Sequence, residues 1–168
     1  IRQLVVQDYM YPLTIKPAKL SDGLKQRIYD VGARTLQVCI HEHYEDCPGR
    51  EQALYGQDSR NQMLFGYGVY EETEVQRESL RLLSMANYHN PDGLLASTAP
   101  GLVLGILPNI NTDIPNFSLF WALAVSEYYQ RTKDAELVKD VSKTLDDVMG
   151  AYARQIREKG KMPLILKI

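Results

Sequence analysis

Between Asp134 and Ile156 the residues Leu137, Val141, Leu145, Val148, Tyr152 and Ile156 recur at steps of three or four, with mostly charged or polar neighbours between them. Side chains at that spacing share one face of a helix, so the stretch predicts an amphipathic helix whose stripe needs a partner surface. The same period appears upstream. Leu119, Leu123 and Ser126 mark a helix that stops near Thr132, and Val75, Ser79, Leu82 and Ala86 mark another after Glu72 and Thr73. Met63, Tyr67 and Tyr70 mark a third, loosened by Gly66 and Gly68, which favour close helix–helix approach over intrinsic helix strength.

The first helix is predicted over about 22–43. Ser21 followed by Asp22 is a start signal, since the hydroxyl accepts an orphan backbone N–H and the carboxylate meets the positive end of the dipole. Leu24, Ile28, Val31, Thr35 and Val38 then fall on one face. Ahead of it, Leu4, Val6, Tyr9 and Tyr11 alternate loosely with polar residues, and Pro12 and Pro17 interrupt any helix, so the chain opens with an extended lead-in.

Five helices result, joined in alternation by tight turns and by long polar loops, with no central strand. That pattern predicts an all-α fold of stacked helical hairpins. One long loop, 88–116, carries Pro91, Pro100, Pro108 and Pro115, and unstructured segments of such length in compact domains are usually functional.

With 19 basic and 21 acidic residues the chain carries a formal charge of −2, and no basic stripe is present to displace counterions from a phosphate backbone, which argues against a nucleic-acid partner. No apolar run approaches the roughly 20 residues of a membrane-spanning helix. Two cysteines, Cys39 and Cys47, make neither a disulfide framework nor a zinc set. The opening IRQLVVQDYM shows no initiator Met and no signal-type segment, so the chain reads as the interior of a longer polypeptide, cytoplasmic or periplasmic in its parent.

The chemistry concentrates in the loop from Glu45 to Asp58. Its core, Asp46-Cys47-Pro48-Gly49-Arg50-Glu51-Gln52-Ala53-Leu54-Tyr55-Gly56-Gln57-Asp58, packs carboxylates and a guanidinium around a Pro-Gly turn. Such crowding can keep one carboxylic acid protonated beside ionised neighbours, as acid catalysis requires, and it is equally the pattern of a solvated charged loop at a helix junction. Both readings stand on the residues alone.

DCPGRE, with Asp58 seven residues after Glu51, resembles the signature of the α-L-rhamnosidases, glycoside hydrolase family 78, and supporting likeness runs through Asp92-Gly93, Ile114-Pro115-Asn116-Phe117-Ser118 and the Tyr128 to Asp134 turn. The resemblance implies an (α/α)6 barrel, of which residues 21–168 would be the N-terminal portion, about five of twelve helices, with 1–20 leading in from a preceding β-domain. It implies Glu51 as general acid, Asp46 and Asp58 binding rhamnose hydroxyls, Arg50 bracing them, and Tyr55 packing against the sugar where the family usually has tryptophan. LYGQD stands where GWTGD is more usual, and Asn116 where many relatives carry an acidic residue. The substrate would be a rhamnosylated glycan or glycoside, cleaved with inversion and without a cofactor or metal. The resemblance also implies that the base lies far downstream, beyond this chain, and Glu127 and Asp113 belong to no motif. A non-catalytic carbohydrate-binding toroid and a six-hairpin glycosidase acting on another sugar are the alternatives. The 168 residues alone are expected to lack turnover and either to show an exposed apolar face or to associate with themselves.

Weaker signals read as structural. His41-Glu42-His43 places imidazoles two apart, which diverge by about 200° on a helix, so it reads as a polar helix end and not a metal pair. Asn116-Phe117-Ser118 reads as a helix cap, and the lone Trp121 as core.

Overall fold

The computed structural model describes residues 3–7, 9–87, 93–99 and 114–160. In chain order the elements are α1 (Gly23–Val38), β1 (Leu54–Tyr55), α2 (Gly56–Val69), α3 (Glu74–Ser84), a single 3-10 turn (Met85–Asn87), β2 (Thr98–Ala99), α4 (Pro115–Thr132) and α5 (Ala135–Lys159). Asp92, Asp113, Pro91, Pro100 and Pro108 lie outside the described residues.

Alternate helices lie side by side and run in the same direction. At the start of α2, Gly56 packs against Phe117 at the start of α4; further along, Arg60 of α2 pairs with Glu127 of α4, and Tyr67 lies under Arg131 at 4.6 Å. In the second layer Arg77 near the start of α3 reaches Asp134 and Glu136 at the start of α5, and Thr144 of α5 donates to the Ser84 carbonyl at the end of α3. Between them, α4 and α5 form a hairpin, so that the Tyr152 hydroxyl late in α5 donates to the Pro115 carbonyl that opens α4. Hairpins that pair inner with inner and outer with outer helices are the repeating unit of a helical barrel, and these described helices form part of one.

The core lies between the two layers. Trp121, Leu80, Leu83, Val75, Leu137 and Val141 are all buried there, with Met63 and Tyr44 under α2. On α5 most of the stripe read from the sequence is buried: Leu137, Val141, Val148 and Tyr152 are buried and Leu145 packs against them, while Ile156 at its end is exposed. Gly66 is a true close approach, because a Cβ there would come within 2.5 Å of the buried Tyr44 hydroxyl and 3.1 Å of Gln76 Nε2, whereas at Gly68 nothing lies within 4 Å.

Four expectations need correction. The α1 helix ends at Val38, so His41 and His43 lie beyond it; His41 pairs with buried Glu45 at 2.8 Å, and His43 Nδ1 lies 2.9 Å from the Tyr44 carbonyl. Its N-cap is Asp22, whose carboxylate accepts from Lys25 N–H, and not Ser21. Its apolar face points outward: Leu24, Ile28 and Val31 are 68%, 63% and 59% exposed while Ala33 and Leu36 are buried, because periodicity finds a stripe without finding its partner. Finally, Asn116 is no cap. Ile114 holds that position without a side-chain bond and Pro115 follows, since a proline at the first helical position sacrifices only an orphan N–H. Ser118 of the same triplet is buried and accepts from Leu95 N–H at 2.9 Å.

The lead-in is extended as expected and is tied across the helix ends. Lys16 N–H donates to the Val69 carbonyl at 2.8 Å and Thr14 N–H to Glu72 at 2.8 Å, while Tyr9 stacks on His41.

Asp134 joins three helices. One carboxylate oxygen accepts from Leu137 N–H as the α5 N-cap; the other accepts from Arg77 Nε at 3.0 Å and the Tyr128 hydroxyl at 3.2 Å. The Leu137 N–H, and then Arg77 and Tyr128, hold its carboxyl below the usual range against the effect of partial burial. A depressed folded value stabilises the native state above the ordinary carboxylate range, and that contribution disappears as pH falls through the lowered value. Asp134→Ala is therefore expected to speed hydrogen exchange of the first turn of α5 about tenfold at neutral pH, the worth of one N-cap. The difference from wild type should shrink below about pH 4; a difference that persisted into acid would mean the carboxylate charge is not what holds the turn.

Candidate functional site

The acidic loop leaves the end of α1 and is closed at its base by two bonds between the same residues. Asp46 N–H donates to the Ala53 carbonyl at 3.0 Å, and Ala53 N–H returns a bond to Asp46 Oδ1 at 2.9 Å. Inside that clasp the Gln52 amide donates to the Pro48 carbonyl at 3.0 Å, and Gln52 itself takes a left-handed φ of 51° that turns the chain back. The backbone N–H groups of Gln52, Glu51 and Gly49 surround the Cys47 thiol and hold its pKa below the ordinary value, with Asp46 opposing.

Beyond the clasp the chain is gripped from the far side of the sequence. Leu54 and Tyr55 pair antiparallel with Ala99 and Thr98, and Gly56 N–H donates to the Ser97 carbonyl at 3.2 Å. Helix α2 starts at once, at Gly56, with Tyr55 in the cap position and no side-chain cap. The loop is thus shorter than its sequence suggests, and Asp58 sits in the first turn of a helix, where a carboxylate complements the dipole. Glycine at 56 lets α2 lie against Phe117, since a Cβ would come 3.2 Å from the Phe117 carbonyl oxygen.

These anchors bring three of the candidate side chains into direct contact. Glu51 is held at one oxygen by the Arg50 guanidinium and at the other by the Tyr55 hydroxyl, which donates to Oε2 at 2.8 Å. The Tyr55 ring meets Phe117 edge-on, with centroids 6.4 Å apart and planes at 90°. Partial burial first, then the Glu51 hydrogen bond and the charges of Glu51, Asp46 and Asp58, push the Tyr55 hydroxyl up to about 12. Asp58 touches none of the others directly, yet it shares their field: partial burial raises its pKa, and the charges of Asp46 and Glu51 raise it further against the pull of its own backbone N–H. Arg50 is 86% exposed and reaches Glu51 from the solvent side. Asp46 has a second task beyond any ligand, since one of its oxygens closes the loop.

Asp58, Asn61 and Phe65 are all exposed and spaced as one face of α2, and Asn116 is exposed on the first turn of the adjacent α4. Helical spacing from Asp58 would have found Asn61 and Phe65 had α2 been started at Gly56. Phe117, which backs Tyr55, had no local signal. Glu127 is engaged by Arg60 through both nitrogens of the fork, at 3.0 and 2.6 Å, so it serves as a link between α2 and α4. Trp121 is fully buried and donates to the Leu80 carbonyl at 3.0 Å, so it belongs to the core. Among the described residues no set of three or more His, Cys, Asp or Glu is placed to hold a metal ion, and no helix is long and apolar enough to cross a membrane.

A family model described as the bacterial alpha-L-rhamnosidase six-hairpin glycosidase domain matches residues 18–164. The fold is similar to the crystal structure of a GH78-family rhamnosidase of Bacillus sp. GL1, with a TM-score of 0.80 and 25% sequence identity. That similarity covers 91% of this chain and 15% of the Bacillus chain, so the sequence spans a minor part of that enzyme's length. No curated protein gives a significant match. The helical hairpins, the clasped acidic loop and the family match agree, and the chain belongs to the bacterial α-L-rhamnosidase six-hairpin glycosidase family.

Proposed function

We propose that these residues form the acid-bearing portion of the catalytic barrel of an inverting α-L-rhamnosidase, with residues 1–20 leading in from a preceding β-domain and 21–168 contributing to the barrel. Glu51 is the general acid. Asp46 and Asp58 accept hydroxyls of the terminal rhamnose, Arg50 braces the carboxylates, and the Tyr55 ring faces the apolar C–H surface of the deoxy-sugar. The observation that carries the reading is the Glu51 carboxylate, held between Arg50 and Tyr55 beside the N-terminus of α2.

In the reaction the Glu51 O–H bond breaks as its proton passes to the glycosidic oxygen. The bond from that oxygen to the anomeric carbon breaks with its electron pair staying on the departing oxygen. A water oxygen bonds to the anomeric carbon from the opposite face, and a carboxylate base takes the water's proton. Inversion sets that base about 6.5–9.5 Å from the acid, which leaves room for the water. By resemblance to the family the base lies downstream of this chain, and Glu127 is engaged by both nitrogens of the Arg60 fork.

The test is to assay the full-length protein that carries this chain on an aryl α-L-rhamnoside, following the released sugar by NMR, with the isolated 168 residues in parallel. We expect hydrolysis with the β-anomer of rhamnose appearing first, and no turnover by the isolated chain. First release of the α-anomer, activity confined to another sugar, or full activity of the isolated chain would each overturn a part of this reading.

A further inference from the structure

The two oxygens of Glu51 are held by unlike groups. Oε1 meets Arg50, which braces it from the solvent side through a side chain 86% exposed. Oε2 accepts from the Tyr55 hydroxyl at 2.8 Å, and Tyr55 is fixed from several sides. Its backbone pairs with Thr98, the next residue is bonded to the Ser97 carbonyl, and its ring rests edge-on against Phe117. One oxygen therefore has a solvent-exposed partner and the other a fixed one.

Resting on the reading of Glu51 as the acid, we infer that Tyr55 is a positioning residue: its hydroxyl pins Oε2 as a permanent acceptor, so that the transferable proton is carried on Oε1 and delivered where Arg50 gives way to the glycosidic oxygen. The chemistry follows from donor counting. A protonated carboxyl has one O–H; once Arg50, itself only a donor, has left Oε1, that oxygen is open to carry it, while Oε2 still receives the phenolic proton. The phenol remains a neutral donor at any working pH, because its pKa is pushed up to about 12. Rotation of the carboxyl is blocked, and a proton aimed within hydrogen-bond reach of the leaving oxygen is what general acid catalysis needs. This is a role of the hydroxyl, separate from any stacking of the ring.

Tyr55→Phe isolates it, since one oxygen is removed and the ring against Phe117 is kept. In the full-length protein, on a rhamnoside with a poor alkyl leaving group, kcat is expected to fall about 10–100-fold, the usual cost of a misaimed catalytic group, with KM little changed. A dinitrophenyl leaving group, which needs little protonation, should lose far less. In a Glu51→Gln background the same substitution should cost nothing further, because groups acting as a unit are not additive. A crystal structure of Tyr55→Phe should show the Glu51 carboxyl rotated or in two positions. An unchanged kcat on the poor leaving group, or an equal loss on both leaving groups, would overturn the positioning role while Glu51→Gln stays crippled. A fully active Glu51→Gln would remove the acid itself, and this role with it.

Discussion

Glu51→Gln is expected to lower the rate on an unactivated α-L-rhamnoside by about 10²–10⁴-fold, the usual contribution of a positioned general acid. Glutamine has nearly the same shape, and its amide oxygen can still accept from the Tyr55 hydroxyl that now bonds Oε2, so the clasp between Asp46 and Ala53 should stay closed. What is lost is the transferable proton. Aryl rhamnosides with activated leaving groups should suffer less, and comparing the two substrates separates lost protonation from general damage. An unchanged rate on the unactivated substrate would falsify the assignment of Glu51.

The largest effect on stability is expected from Trp121→Ala. Trp121 is fully buried on α4, and its indole N–H donates to the Leu80 carbonyl of α3, so the side chain bridges the two helical layers. Truncation leaves a cavity and takes away that donor, at a cost of about 3–5 kcal/mol. Against a typical net stability of about 5–15 kcal/mol that is a large share, and it should appear as a lower denaturant midpoint and a poorer soluble yield. A cost under about 1 kcal/mol would mean that the layers close over the gap, and that Trp121 is not the bridge its burial suggests.

Legibility in the sequence followed the range of the interactions. The α5 stripe was readable because a helix carries its own period, and Leu137, Val141 and Val148 are buried as that period requires. The break between α4 and α5 was readable for a similarly local reason: Lys133 takes a left-handed φ of 59° and Asp134 caps the next helix. The start of α2 was not. Gly56 is a poor helix former and Tyr55 caps nothing, so propensity argues for loop; the helix begins there because β2 and Phe117, remote in sequence, grip the chain at that point. The same long-range grip sets the candidate site. DCPGRE and Asp58 named the acidic residues by resemblance, but the bond from Tyr55 to Glu51 depends on strand pairing and on a ring from α4, neither of which leaves a mark near residue 51. On α1 the period identified a helix and misjudged its orientation, since Leu24, Ile28 and Val31 face outward.

The side-by-side run of α2 with α4 and of α3 with α5 bears on how such a chain acquires its structure. Helices α2 and α3 are each packed by the one after and by the next but one, so burial there advances in the order of the sequence, much as it does in a linear array of repeats. These contacts span 57 to 67 residues, so each stacked pair can consolidate only once its later helix has been made, the N-terminal pair first. The clasped loop precedes α2 in the chain, but β2 and Phe117 lie well after it. The loop that holds Glu51 is therefore synthesised before the partners that fix it and acquires its final geometry only once α4 has docked.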